Sequence, residues 1–83
     1  MPHLLHLLKA PPSGQVLEIL SRQAQDPDCR LSVVLMQEAA GTTLPLQAEI
    51  YRLDDGATAS PYPAISHARL LELIFAADSV VAW

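Results

Sequence analysis

The stretch from Ser66 to Trp83 constrains this chain more than any other. Ser66 is a residue type that caps helix N-termini, and Ala68, Leu71 and Phe75 follow it at helical spacing. Asp78-Ser79 breaks that pattern, and Val80-Val81-Ala82-Trp83 then reads as an apolar strand. Such a run is expected to be tied into a sheet, because a free tail would leave the Trp83 ring in water. The fold must therefore contain a sheet that receives a strand directly from this helix.

The same helix speaks to partners. At about 100° per residue, Leu70, Leu71, Leu73, Ile74, Phe75 and Ala77 cover most of its circumference, leaving a polar wedge of Arg69, Glu72 and Ala76. One sheet face occupies only one apolar stripe. The surplus places the helix either sandwiched inside the domain or packed against another chain; the shortness of the chain favours the second, with Leu70, Leu73, Ile74 and Ala77 at the interface.

Eighty-three residues make one domain, residues 1–83, with a limited core. Its composition, 51% hydrophobic and 17% charged, is that of a globular chain. The apolar runs are too short to span a bilayer, and no basic residue precedes the first of them, so neither a membrane span nor a secretory signal is expected. The formal charge of -4 and five scattered basic residues argue against direct contact with a nucleic-acid backbone.

Along the chain, Leu4 to Leu8 reads as a strand. Pro11-Pro12-Ser13-Gly14 is a turn in which Ser13 caps a helix with the stripe Val16, Ile19, Leu20 and Ala24. Asp26-Pro27 ends that helix near Gln25, since a residue before proline avoids the helical region. Leu31 to Met36 is an apolar run of the kind found in strands covered on both faces. Gln47 to Leu53 is a third strand, Asp54-Asp55-Gly56 a turn, Ala57 to Pro63 a loop, and the last helix and strand follow. This alternation predicts an α/β fold with a mainly parallel, four-stranded sheet. The link from Gln37 to Leu46 is shorter than the dozen or so residues of a usual parallel crossover. It has room for one or two helical turns, so part of one sheet face is expected to be thinly covered.

The residues that carry chemistry are few. Cys29 is the one cysteine, which excludes an internal disulfide and fits a reducing, cytoplasmic compartment. It is the candidate thiol, with Arg30 beside it to lower its pKa and Asp28 to oppose that; the ordinary reading is a small residue at a strand entry. His3 and His6, three apart on a strand, point to opposite faces and cannot share a metal ion. His67 falls in the first turn of the last helix, where the helix dipole disfavours a charged imidazole. Ser66 is a cap rather than a nucleophile. No glycine-rich phosphate loop is present and no cofactor or metal is expected. In a parallel sheet the carboxyl ends of the strands form the usual ligand crevice, and the groups there would be Gln37, Glu38, Asp54 and Asp55.

Three segments resemble one family. Leu5-His6-Leu7-Leu8-Lys9-Ala10-Pro11-Pro12 resembles the L-H-x-L-x-x-x-P opening of DsrH/TusB proteins. Leu35-Met36-Gln37-Glu38-Ala39-Ala40 is similar to their L-L-Q-D-G segment at a strand end, with Glu38-Ala39 in place of the acidic-glycine pair. Leu70-Leu71-Glu72-Leu73 through Val80-Val81-Ala82-Trp83 resembles their closing helix and strand, which end in A-W or S-W. The segments after Gln37 and after Leu53 are shorter than the family's, and the first helix lacks the cysteine that some members carry. The resemblance implies a three-layer α/β/α fold and a small subunit of a sulfur relay, serving tRNA 2-thiouridine synthesis or intracellular sulfur oxidation. It implies larger partner subunits that hold the persulfide. The missing helix cysteine points to a non-catalytic, accessory role. The competing expectation is a small ligand-binding or enzymatic domain using the strand-end crevice.

Overall fold

The computed structural model describes residues 2–54 and 62–83. Its elements are strand β1 (His3–Leu8), helix α1 (Gly14–Gln25), β2 (Arg30–Leu35), a short 3-10 helix (Gln37–Gly41), β3 (Glu49–Leu53), β4 (Ala64–Ile65), helix α2 (His67–Ala76) and β5 (Ser79–Ala82). The strands form one sheet in the order β4-β3-β2-β1-β5, and every pairing among them is parallel.

Local chemistry sets the ends of both helices. The Ser13 hydroxyl accepts from the Val16 N–H at 3.4 Å, and the Ser66 hydroxyl accepts from the Arg69 N–H at 3.1 Å. Asp26, held extended by Pro27, stops α1. Its carboxylate then accepts from the Asp28 N–H at 2.9 Å and turns the chain toward β2.

Alternation along the strands divides the core in two. Leu4 and Leu8 of β1, with Leu31, Val33 and Leu35 of β2 and Ile50 of β3, pack with Val16, Leu17, Leu20 and Ala24 of α1. Leu5, Leu7, Val34, Tyr51, Leu53 and Ile65 pack with Leu70, Leu73, Ile74 and Ala77 of α2. β2 is buried from Leu31 to Leu35, as its unbroken apolar pattern requires.

The structure revises three expectations. The described residues hold five strands rather than four; Ala64–Ile65 pairs with β3 but is too short to show a period in sequence. The link between β2 and β3 lacks a covering α-helix, as expected, yet it does not leave its face open. It buries Ala39 and Leu44, and the Tyr62 hydroxyl accepts from the Leu44 N–H at 2.8 Å and donates to the Leu44 carbonyl. Finally, the stripe assigned to an interface is the stripe that faces the sheet. Leu73 is 3% exposed, and Leu70, Ile74 and Ala77 pack around it. Positions i, i+3, i+4 and i+7 form one helix face, and here that face is consumed inside the chain. The apolar side chains left outside are Leu71 and Phe75, 54% and 84% exposed.

Candidate functional site

The parallel strands bring Gln37, Glu38 and Asp54 to one edge of the sheet, because β2 and β3 are neighbours and both end there. The Met36 N–H donates to the Leu8 carbonyl at 2.8 Å and fixes the chain as it leaves β2. Gln37 then adopts φ 53°, a left-handed conformation that costs a side-chain-bearing residue about 1–3 kcal/mol. Glu38 is exposed in the 3-10 helix that follows. Asp54, also exposed, is anchored through its N–H to the Ile65 carbonyl at 2.8 Å. Asp55 and the rest of the Asp54-Asp55-Gly56 turn lie outside the described residues. Sequence reading missed Arg52 at this edge: its Nε is buried with no hydrogen-bond partner among the described residues. A cleft of about 350 Å³ lies elsewhere, between Ser21, Ala24 and Gln25 of α1 and Pro45, Leu46 and Gln47 before β3, and none of Gln37, Glu38 and Asp54 is among its described lining residues.

Cys29 stands at the opposite edge, at the entry to β2, with its N–H donating to the Asp26 carbonyl at 3.2 Å. Desolvation and the nearby Asp26 carboxylate push the thiol above its ordinary value of 9.0. Arg30 does not counter this, because its guanidinium holds both carboxylate oxygens of Glu49, at 3.2 and 2.9 Å. A thiol kept protonated at neutral pH is a poor nucleophile. Cys29→Ser is therefore expected to fold as the parent does, with a Tm within about 2 °C, since substitutions away from core and network change stability by only about 0.5 kcal/mol. Circular-dichroism melting measures this, and stoichiometric persulfide on Cys29 during turnover would contradict the inert reading.

The two strand histidines do face opposite ways, and each is satisfied. His3 belongs to a polar chain that crosses three strands. The Glu49 carboxyl is held below its ordinary 4.5 chiefly by its hydrogen bonds from Arg30, so near neutral pH it only accepts. The Ser32 hydroxyl donates to Glu49 Oε2 at 3.0 Å. Its single proton is then spent, so Ser32 Oγ accepts from His3 Nε2 at 2.8 Å, and His3 carries its proton there. This arrangement does not activate Ser32 as a nucleophile, because the histidine donates to it instead of withdrawing its proton. The sequence did carry a signal for this chain: Ser32 is the polar residue inside the apolar run of β2.

On the other face, the Trp83 indole N–H donates to His6 Nδ1 at 2.9 Å, with the two rings within 9° of parallel. Indole only donates, so Nδ1 is unprotonated; Nε2–H points to Gln23 Oε1 at 2.7 Å. Burial lowers the His6 pKa from its ordinary 6.5, with the Gln23 hydrogen bond acting against that shift. His67 is exposed at the start of α2. Among the described residues, no group of three or more His, Cys, Asp or Glu side chains could hold a metal ion.

What the surface offers instead is apolar. Leu71 and Phe75 project from α2, while Val80, Val81 and Trp83 are exposed on or beside β5. Among the described residues β5 is an edge strand paired only with β1, so one row of its backbone groups faces outward. No charged residue stands on it to discourage a further strand. No helix among the described residues is long and apolar enough to cross a membrane. Compared with known proteins, the chain matches no family model and no curated protein.

Proposed function

We propose that this chain is a non-catalytic accessory subunit of a sulfur-relay assembly of the DsrH/TusB kind, working in tRNA 2-thiouridine synthesis or intracellular sulfur oxidation. The observation that carries the reading is the contrast between a lone thiol pushed toward its protonated form and a surface rich in unburied apolar side chains, with Phe75 84% exposed. The resemblance of the opening, strand-end and closing segments supplies the sulfur context. The parallel α/β sheet agrees with the fold that this resemblance implies, and we read the helices on its two faces as a three-layer α/β/α arrangement. In this reading the chain sits in the cytoplasm, as a homo-oligomer or beside larger relay subunits that carry the persulfide. It needs no cofactor, and its contact with tRNA is indirect.

The test is genetic and chemical together. Deleting the gene is expected to lower 2-thiouridine in tRNA or the rate of sulfur oxidation, and Cys29→Ser is expected to restore either. Intact-mass analysis with a persulfide donor and the partner subunits is expected to place the added sulfur on a partner. If deletion leaves both pathways unchanged, the sulfur reading falls. A small ligand-binding or enzymatic domain then leads, and the strained Gln37 and the buried Arg52 Nε, without a partner among the described residues, favour that second reading.

A further inference from the structure

We propose that the Gln23–His6–Trp83 contact is an acid-opened latch that holds the carboxyl end of edge strand β5 to the sheet. Both ring nitrogens of His6 are occupied by groups of fixed character. Nε2–H reaches Gln23 Oε1 at 2.7 Å, and Nδ1 accepts the Trp83 indole N–H at 2.9 Å. An imidazolium carries a proton on both nitrogens. It keeps the Gln23 bond and loses the Trp83 bond, because two N–H donors then point at one another. Neither partner can resolve this by turning over, since indole has no acceptor and the amide of Gln23 serves the opposite side of the ring.

Among the described residues, the surroundings supply no ready counter-charge. On this face of the sheet β2 presents Leu31, Val33 and Leu35, and β5 presents Ser79 and Val81. From α1 the group that reaches the ring is Gln23. Glu18 and Arg22 of that helix pair with each other at 2.6 Å on its exposed side, and the Asp26 carboxylate accepts from the Asp28 N–H. His6 is 1% exposed, and its lowered pKa agrees with a site built for the neutral ring.

Opening is confined to one end of the strand. The start of β5 is held separately, by the Asp78 N–H to the His3 carbonyl and the His3 N–H to the Asp78 carboxylate, at 2.8 and 2.7 Å. At the far end the holds are the Trp83 N–H to the Leu7 carbonyl, at 2.9 Å, and the indole. The consequence of acid is a loosened Ala82–Trp83 end and a free apolar ring at the sheet edge, while the sheet persists.

The chain has one tryptophan, so its indole N–H gives a single resonance in a nitrogen-15 spectrum. On acidification that resonance is expected to move toward the free-indole position with the same midpoint as His6, below pH 6.5, with its protection against hydrogen exchange, relative to a free indole at the same pH, falling at least tenfold. Above the midpoint, the nitrogen shifts of His6 are expected to report the Nε2–H form. Trp83→Phe, a change at a partly exposed position, removes the donor and is expected to raise the His6 midpoint. An indole resonance indifferent to the His6 titration, an Nδ1–H form of His6, or a midpoint unmoved in Trp83→Phe would each overturn the latch.

Discussion

Leu73→Glu is expected to unfold this domain, and Phe75→Glu is expected to leave it folded. Both lie on α2, two positions apart, and both read as apolar in sequence. Leu73 is 3% exposed and sits among Leu5, Val34 and Ile65, whereas Phe75 is 84% exposed. Truncating a leucine in such a site costs about 2–5 kcal/mol, and placing a carboxylate there adds the cost of desolvating a charge with no partner. A domain of this size has only about 4–12 kcal/mol of stability in total. Leu73→Ala is therefore expected to lower the Tm by about 10 °C or more, and Leu73→Glu to lose the cooperative transition at room temperature. Phe75→Glu is expected to change stability by less than about 0.5 kcal/mol. If a partner covers the outer face of α2, Phe75→Glu and Leu71→Glu should weaken association by tenfold or more while the isolated chain melts as before. Thermal melts with light scattering on the same samples separate the two effects. A Leu73→Glu protein that melts like the parent would show that α2 does not rest on the sheet as described.

That contrast also marks how far the sequence could be read. Amphipathic periods placed both helices, and short strand-like runs, mostly apolar and bounded by turn residues, placed four of the strands. Ser13 and Ser66 were legible as caps because a hydroxyl before a helix has one dominant use. β4 was not legible: two residues have no period, and what makes Ala64–Ile65 a strand is the edge of β3 beside it. The helix wheel showed that α2 has apolar surface to spare, and so it does. It could not say which stripe meets the sheet, since Leu70, Leu73, Ile74 and Ala77 and the pair Leu71 and Phe75 are both self-consistent faces. For the crevice, parallel topology was enough to bring Gln37, Glu38 and Asp54 to one edge. The left-handed turn at Gln37 and the buried Arg52 Nε are tertiary consequences with no local signature. The polar chain from His3 to Arg30 depends on strand register, His3 opposite Arg30 and Ser32 opposite Glu49, which a single sequence does not contain.

Within that chain, Ser32 is expected to matter more than the ion pair that looks stronger on paper. Ser32→Ala leaves the His3 Nε2–H buried without its acceptor, and an unsatisfied buried donor costs about 1–3 kcal/mol. Breaking the Arg30–Glu49 pair is expected to cost much less. The side chains are 50% and 40% exposed, so water replaces each partner and salt screens the rest. Glu49→Gln keeps an acceptor for the Ser32 hydroxyl and is expected to be mild at neutral pH. Its effect should appear in acid. A carboxyl whose pKa is lowered by folding contributes stability that is fully present above its unfolded value of about 4.5. That contribution is lost as pH falls through the lower folded value, because the unfolded chain takes up the proton first. The parent should therefore lose stability between about pH 5 and pH 3 more steeply than Glu49→Gln does. Urea unfolding of the parent, Ser32→Ala, Arg30→Gln and Glu49→Gln at pH 7, 5 and 3 reads all of this. The polar chain would have no energetic role if Ser32→Ala unfolds at the parent's midpoint, or if Glu49→Gln and the parent lose stability in parallel as the pH drops.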